Sequence, residues 1–151
     1  MNFREFEHVG WEQLPRHYHE GFARLTTQVI PALLDAAGVG RGTRLLDVAT
    51  GPGYVATAAA QRGAAVLGVD FASAMVAEAR RRCPGLQFEE GDAEALAFRD
   101  ASFDAVTINF GVLHLARRIG RCSKRIACCG REAGSHSPSG PRPTWRAASA
   151  W

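Results

Sequence analysis

Between residues 43 and 110 the apolar positions fall into short dense runs separated by glycine-rich breaks. The run TRLLDVAT (43–50) is rich in strand formers and is bounded by glycine on both sides. YVATAAAQR (54–62) is alanine-rich, predicts a helix, and stops at Gly63. AAVLGVD (64–70) predicts a second buried strand. Ser73 is a candidate cap for a helix over AMVAEARRR (74–82), which Pro84 and Gly85 terminate. LQFEE (86–90) and FDAVTINF (103–110) predict a third and a fourth strand. Upstream, residues 11–37 read as helix in two pieces. Leu25, Val29, Leu33 and Leu34 recur at helical spacing, Pro15 suits an early helical position, and Pro31 implies a kink or a break.

Strands alternating with helices at roughly 20-residue spacing predict an α/β fold with a parallel sheet built from right-handed crossovers. The second and fourth strands are nearly continuous apolar runs, as expected when both faces of a sheet are covered. No internal repeat is present.

Composition changes this picture at one place. The chain is 46% hydrophobic and contains no run of about 18 apolar residues, so no membrane span is expected. The charged N-terminus lacks the apolar core of a leader, which predicts a cytoplasmic protein. The net charge of +3 hides a reversal along the chain. Residues 1–116 hold ten Arg against fourteen Asp or Glu, whereas residues 117–151 hold eight Lys or Arg against one Glu. Cys122, Cys128, Cys129 and the only lysine, Lys124, also fall in that last segment. Three regions follow: a helical segment (1–42), the α/β region (43–116) and a basic tail (117–151).

The candidate chemistry sits at the strand ends. Gly51 and Gly53 let the backbone turn tightly and approach a ligand, and the helix beginning at Tyr54 aims free N–H groups the same way. That arrangement suits a dinucleotide or another adenosine-bearing ligand. Asp47, inside the first strand, disfavours a pyrophosphate, because a dinucleotide site keeps this stretch apolar. A cationic sulfonium ligand carries no phosphate to repel. Asp70 ends the second strand, where a carboxylate can accept from two ribose hydroxyls. Asp92 follows the third strand and can accept from an exocyclic amine, with the small Ala93 leaving room for a ring.

Taken in order, LLDVATGPG, VLGVDFASAMVAEAR and FEEGDAEALAFRDASFDAVTINFGVLH resemble the successive motifs of class I S-adenosyl-L-methionine-dependent methyltransferases. The branch they resemble most contains ubiquinone/menaquinone-biosynthesis and other small-molecule enzymes, and the resemblance covers about residues 40–116. It implies a Rossmann-like parallel sheet with flanking helices, here incomplete with four of the family's usual seven strands. It implies that Asp47, Gly51 and Gly53 hold the methionine end of the cofactor. Asp70 would bind ribose, Phe71 and Met75 would pack beside the adenosine, and Asp92 and Ala93 would frame adenine. Asn109, Phe110 and Gly111 would line the floor where donor meets acceptor. The implied partner is a small-molecule methyl acceptor, with no nucleic acid and no metal. No residue has to act as a covalent nucleophile. The motifs name neither the acceptor nor the oligomeric state. Two other readings stay open: a nicotinamide-dependent oxidoreductase fragment, and a non-enzymatic basic interaction protein.

Several residues read more simply. His114 could serve as a general base but is expected to be packing. His17, Tyr18 and His19 are expected on a solvated helix face, with closure of that helix over the cofactor as the alternative, and Arg80, Arg81 and Arg82 are expected to complement a helix dipole. The spacing of Cys122, Cys128 and Cys129 does not suit a metal site.

The tail shows neither helical nor strand periodicity. Shifting its reading frame by one nucleotide leaves one base of each codon free. With GC-rich choices the stretch beyond residue 116 then reads PDRALLEAHRVLRPGGRFAFTVWA. That is an amphipathic helix, a Pro-Gly-Gly turn and a strand, the order the family places after its fourth strand. A frame-shifted tail predicts an uncovered fourth strand and a poorly soluble or partly folded chain.

Overall fold

The computed structural model describes residues 1–99 and 101–115; the basic tail, with its frame-shift and cysteine readings, lies outside the described residues. Four parallel strands form the sheet: β1 (Arg44–Val48), β2 (Ala65–Asp70), β3 (Gln87–Glu90) and β4 (Ala105–Ile108), in the order β3-β2-β1-β4. β1 is central, with Leu46 beside Leu67 on one side and beside Val106 on the other. The Rossmann-like α/β class expected from the alternation is the fold observed. The expected strands are each trimmed by one to four residues, because the ends of the apolar runs turn away into loops.

Helices α1 (Phe3–Gln13), α2 (Pro15–Tyr18), α3 (Phe22–Thr26) and α4 (Ile30–Ala36) precede the sheet, and α5 (Tyr54–Gln61) and α6 (Ser73–Arg82) connect its strands. The N-terminal region is therefore four pieces rather than two, and it begins eight residues earlier than residue 11. Asn2 and Glu5 form a reciprocal capping box that starts α1. Pro15 and Pro31 occupy the first turns of α2 and α4, where a missing N–H costs nothing.

The two faces of the sheet are covered differently. On one, Leu33, Leu34, Val55, Ala59, Val76 and Ala79 of α4, α5 and α6 pack on Leu45, Val66, Phe88 and Ala105. Each fully buried aliphatic side chain there contributes roughly 1.5–3 kcal/mol of transfer free energy. On the other, Leu46, Val48, Val69, Val106 and Ile108 are met by partly buried loop residues, among them Leu96, Phe98, Phe103 and Leu115. No helix of the described residues is long and apolar enough to cross a membrane.

One local expectation is corrected. Ser73 does not cap α6 with its side chain; the Glu12 carboxylate of α1 accepts instead from the Ser73 and Ala74 N–H groups, at 2.6 and 3.1 Å. The three arginines ending α6 each have a specific partner. Arg80 donates to the Phe88 carbonyl, Arg81 to Glu78, and Arg82 to the Pro52 carbonyl while lying 4.0 Å over the Tyr54 ring.

Candidate active site

A cavity of about 390 Å³ opens at the carboxyl ends of β1, β2 and β4, where open α/β sheets place their ligands. Gly51, Asp70, Phe71, Met75, Asp92, Ala93, Asn109, Phe110 and Gly111 all line it, so the chain brings together nine of the residues singled out from sequence. The loops after β1 and β4 meet there, with Ala49 against Gly111. Ala49 and Phe110 both adopt left-handed backbone, at φ 52° and 62°, a conformation that costs non-glycine residues energy and gathers at ligand sites.

Asp70 is held in place by backbone amides of the loops after β1 and β2. Its carboxylate accepts from Gly51 N–H at 2.8 Å and Ala72 N–H at 3.0 Å. Burial pushes its carboxyl above the usual carboxylate range, and these amides pull the other way. Asn109 donates to the Thr26 carbonyl at 3.0 Å, while its Oδ1 is buried and has no partner among the described residues.

Asp47 and Gly53 lie elsewhere. Asp47 is 1% exposed and is not among the lining residues. Its two oxygens accept from Thr50 Oγ1 at 2.7 Å and Thr107 Oγ1 at 2.9 Å. It ties the glycine loop to β4 from beneath. Gly53 sits at φ +82°, and a Cβ there would lie 2.9 Å from the Phe88 ring. Its glycine is explained by that turn and that packing.

The N-terminal helices supply what the sequence reading did not. Arg4, Trp11, Tyr18, Phe22, Leu25 and Thr26 line the cavity, as does His114. Tyr18 and His19 are not on a solvated face. Burial raises the Tyr18 hydroxyl above its ordinary pKa, and its ring stacks with Phe22 and Tyr54. His19 bonds Tyr54 Oη at 2.7 Å and Glu78 at 2.9 Å. A signal was present in the Asn2–Glu5 capping pair, whereas Trp11, Tyr18 and Phe22 fall on three separate helices and share no single helical face.

Asp92 has both oxygens engaged, one by Arg4 at 2.6 Å and one by Glu94 N–H at 2.9 Å. A ligand amine at Asp92 would compete with Arg4. Exposed ion pairs contribute about 0.2–1 kcal/mol, so Arg4→Met is expected to tighten S-adenosylhomocysteine binding by up to about fivefold. Calorimetry checks this, and weaker binding would assign Arg4 to the ligand instead.

Residues 45–134 match the family model described as a methyltransferase domain. The demethylmenaquinone methyltransferase of Beutenbergia cavernae is 44% identical over 95 residues, covering 63% of this chain and 40% of that protein. That of Thermus thermophilus is 41% identical over 108 residues, covering 66% and 49%. Among solved structures, the YcgJ protein of Bacillus subtilis superposes with a TM-score of 0.56 at 27% identity, over 60% of this chain and 41% of that one. The chain thus spans less than half the length of these relatives. With the family match covering more than half of its residues, the chain belongs to the methyltransferase-domain family.

Proposed function

We propose that the chain binds S-adenosylmethionine and is the cofactor-binding portion of a small-molecule methyltransferase whose acceptor is an aromatic hydroxy compound of the quinol type. The observation that carries this reading is the cavity lining. Asp70, Asp92 and Glu94 are acidic, and the one arginine, Arg4, is already paired. Such a lining favours a cationic ligand over a dinucleotide pyrophosphate, which argues against the oxidoreductase reading. Asp70 would hold ribose, Asp92 and Ala93 the adenine, and Asn109 would line the floor. Asp47 would act on the cofactor through the loop it anchors. When bound, the cofactor supplies an electrophilic methyl group whose leaving atom is a neutral thioether. The protein's part is to orient the acceptor and exclude water. Trp11, Tyr18, Phe22, Phe110 and Leu113 form the aromatic and apolar side of the cavity, which supports a flat aromatic acceptor. The printed names of the Beutenbergia and Thermus relatives support the quinone class.

Calorimetry with S-adenosylhomocysteine and with NAD tests the reading. The first is expected to bind with a Kd of roughly 1–100 μM, and Asp70→Asn to weaken it by about 10–100-fold, as for lost hydrogen bonds to a charged group. Tighter binding of NAD, or an unchanged affinity in the variant, overturns the proposal.

We also infer that residues 117–151 are read in a shifted frame. The charge reversal and the helix-turn-strand pattern recovered in the alternative frame support this; the family match runs to residue 134, inside the segment. The coding DNA around codons 114–120, read in all three frames, decides it. An alternative frame that lacks the family pattern overturns it.

A further inference from the structure

The aromatic side of the cavity contains one polar pair that cofactor binding leaves unused. His114, in the short turn Gly111–His114 after β4, places Nδ1 2.7 Å from Glu7 Oε2 of α1. Trp11 Nε1 donates to the same oxygen at 3.0 Å, and its ring meets the His114 ring edge-on at 4.8 Å. Glu7 is thereby fixed from two directions, with 14% of its side chain exposed. A carboxylate only accepts, so Nδ1 donates to Glu7, and in the neutral imidazole Nε2 then holds the lone pair. His114 lines the cavity, and no partner for Nε2 is present among the described residues. If the pair only fastened α1 to the sheet, Nδ1 alone would suffice. A ring held by one nitrogen, with the other free beside a ligand cavity, is the arrangement of an oriented general base.

We propose that His114, positioned by Glu7, is the general base that takes the proton from the hydroxyl of an aromatic acceptor bound against Trp11, Phe110 and Leu113. The proposal rests on the acceptor class given above. His114 Nε2 accepts the hydroxyl proton and becomes imidazolium, which the Glu7 carboxylate stabilises. The acceptor's freed electron pair, on oxygen or conjugated onto a ring carbon, forms the bond to the methyl carbon. The methyl–sulfur bonding pair stays with sulfur, whose positive charge is cancelled. If carbon is methylated, that carbon's proton is lost afterwards and the hydroxyl is restored. Either way one proton leaves and no oxidant or reductant is required. Glu7 is a positioning residue; His114 is the catalytic one.

Para-nitrophenol reports the proton transfer without any cofactor. In the 151-residue chain, buffered one unit below the probe's own pKa, about a tenth of the free probe is ionised. Binding to the wild-type cavity is expected to raise the phenolate absorbance of the bound probe at least threefold. His114→Asn keeps a donor toward Glu7 and removes Nε2, so the bound probe should show no gain over free probe. S-adenosylhomocysteine affinity should stay within about twofold of wild type. Glu7→Gln keeps the hydrogen bond and removes the charge, and should give an intermediate gain; it carries the comparison if His114→Asn does not melt cooperatively. Equal phenolate fractions in wild type and the variants, or no probe binding to wild type, overturn the proposal. Failure of S-adenosylhomocysteine to bind, with His114-dependent ionisation intact, would sink the cofactor reading and leave the base standing.

Discussion

Replacing Asp47 by asparagine is expected to stabilise the protein above neutral pH and to remove most of its loss of stability between pH 5 and 8. Asp47 is fully buried, and desolvation pushes its carboxyl up to about 7. The Thr50 and Thr107 hydroxyls and the Ala56 N–H oppose that shift, and the nearby Asp70 charge adds to it. The folded carboxyl therefore keeps its proton where the unfolded one, near 3.9, has lost it. Stability falls as pH rises through this interval and levels off above the folded value. Three units correspond to roughly 4 kcal/mol in all, of which about two units, roughly 3 kcal/mol, fall above pH 5. The lowered carboxyls of Glu78 and Asp104, both held down by arginine partners, act in the opposite direction but finish titrating below pH 5. The difference between wild type and Asp47→Asn isolates the effect of this carboxyl. Urea midpoints at pH 5 and pH 8 measure it. A wild-type midpoint as high at pH 8 as at pH 5, unchanged by the substitution, would show that Asp47 is not buried in this way.

Asp47 also marks how far the sequence could be read. Its place in the first strand, the glycines after it and Asp70 at the end of the second strand were legible because strand period and turn chemistry are local. The cavity they share follows from parallel topology, which alternation implies. What Asp47 does was not legible. Its partners are Thr50, three residues on, and Thr107, sixty residues on, and only strand pairing brings Thr107 beside it. The same holds for α1. None of its residues is buried, and its apolar Phe3, Phe6 and Val9 stay exposed, so no core position announces it. It is held by the capping box and by Arg4–Asp92, Glu7–His114 and Glu12 at the start of α6. Such polar pairs leave no periodic signal, which is why His114 read as packing until Glu7 stood next to it.

Gly68→Ala is expected to cost about 2–4 kcal/mol, a large fraction of a small domain's stability. Cross-strand register puts Thr107, Asp47, Gly68 and Phe88 in one row across all four strands. The Phe88 ring lies over the glycine. A Cβ at Gly68 would stand 2.6 Å from Phe88 Cδ1 and 2.9 Å from Thr50 Oγ1. The far edge of the same ring lies over Gly53, where a Cβ would stand 2.9 Å from Cζ, so both glycines make room for it. Phe88 must leave the core, or the strands must part. Thr50 is displaced as well, and its hydroxyl is the one that holds Asp47 and, through the loop, Gly51. S-adenosylhomocysteine affinity should therefore fall along with the denaturation midpoint. Phe88→Leu shortens the ring's reach, and combined with Gly68→Ala it should recover at least about 1 kcal/mol relative to the sum of the single changes. Strict additivity in that double-mutant cycle would mean that the glycine serves the backbone and not the ring. If the coupling is found, the size of one phenylalanine, three strands away from β4, sets how firmly the cofactor loop is held.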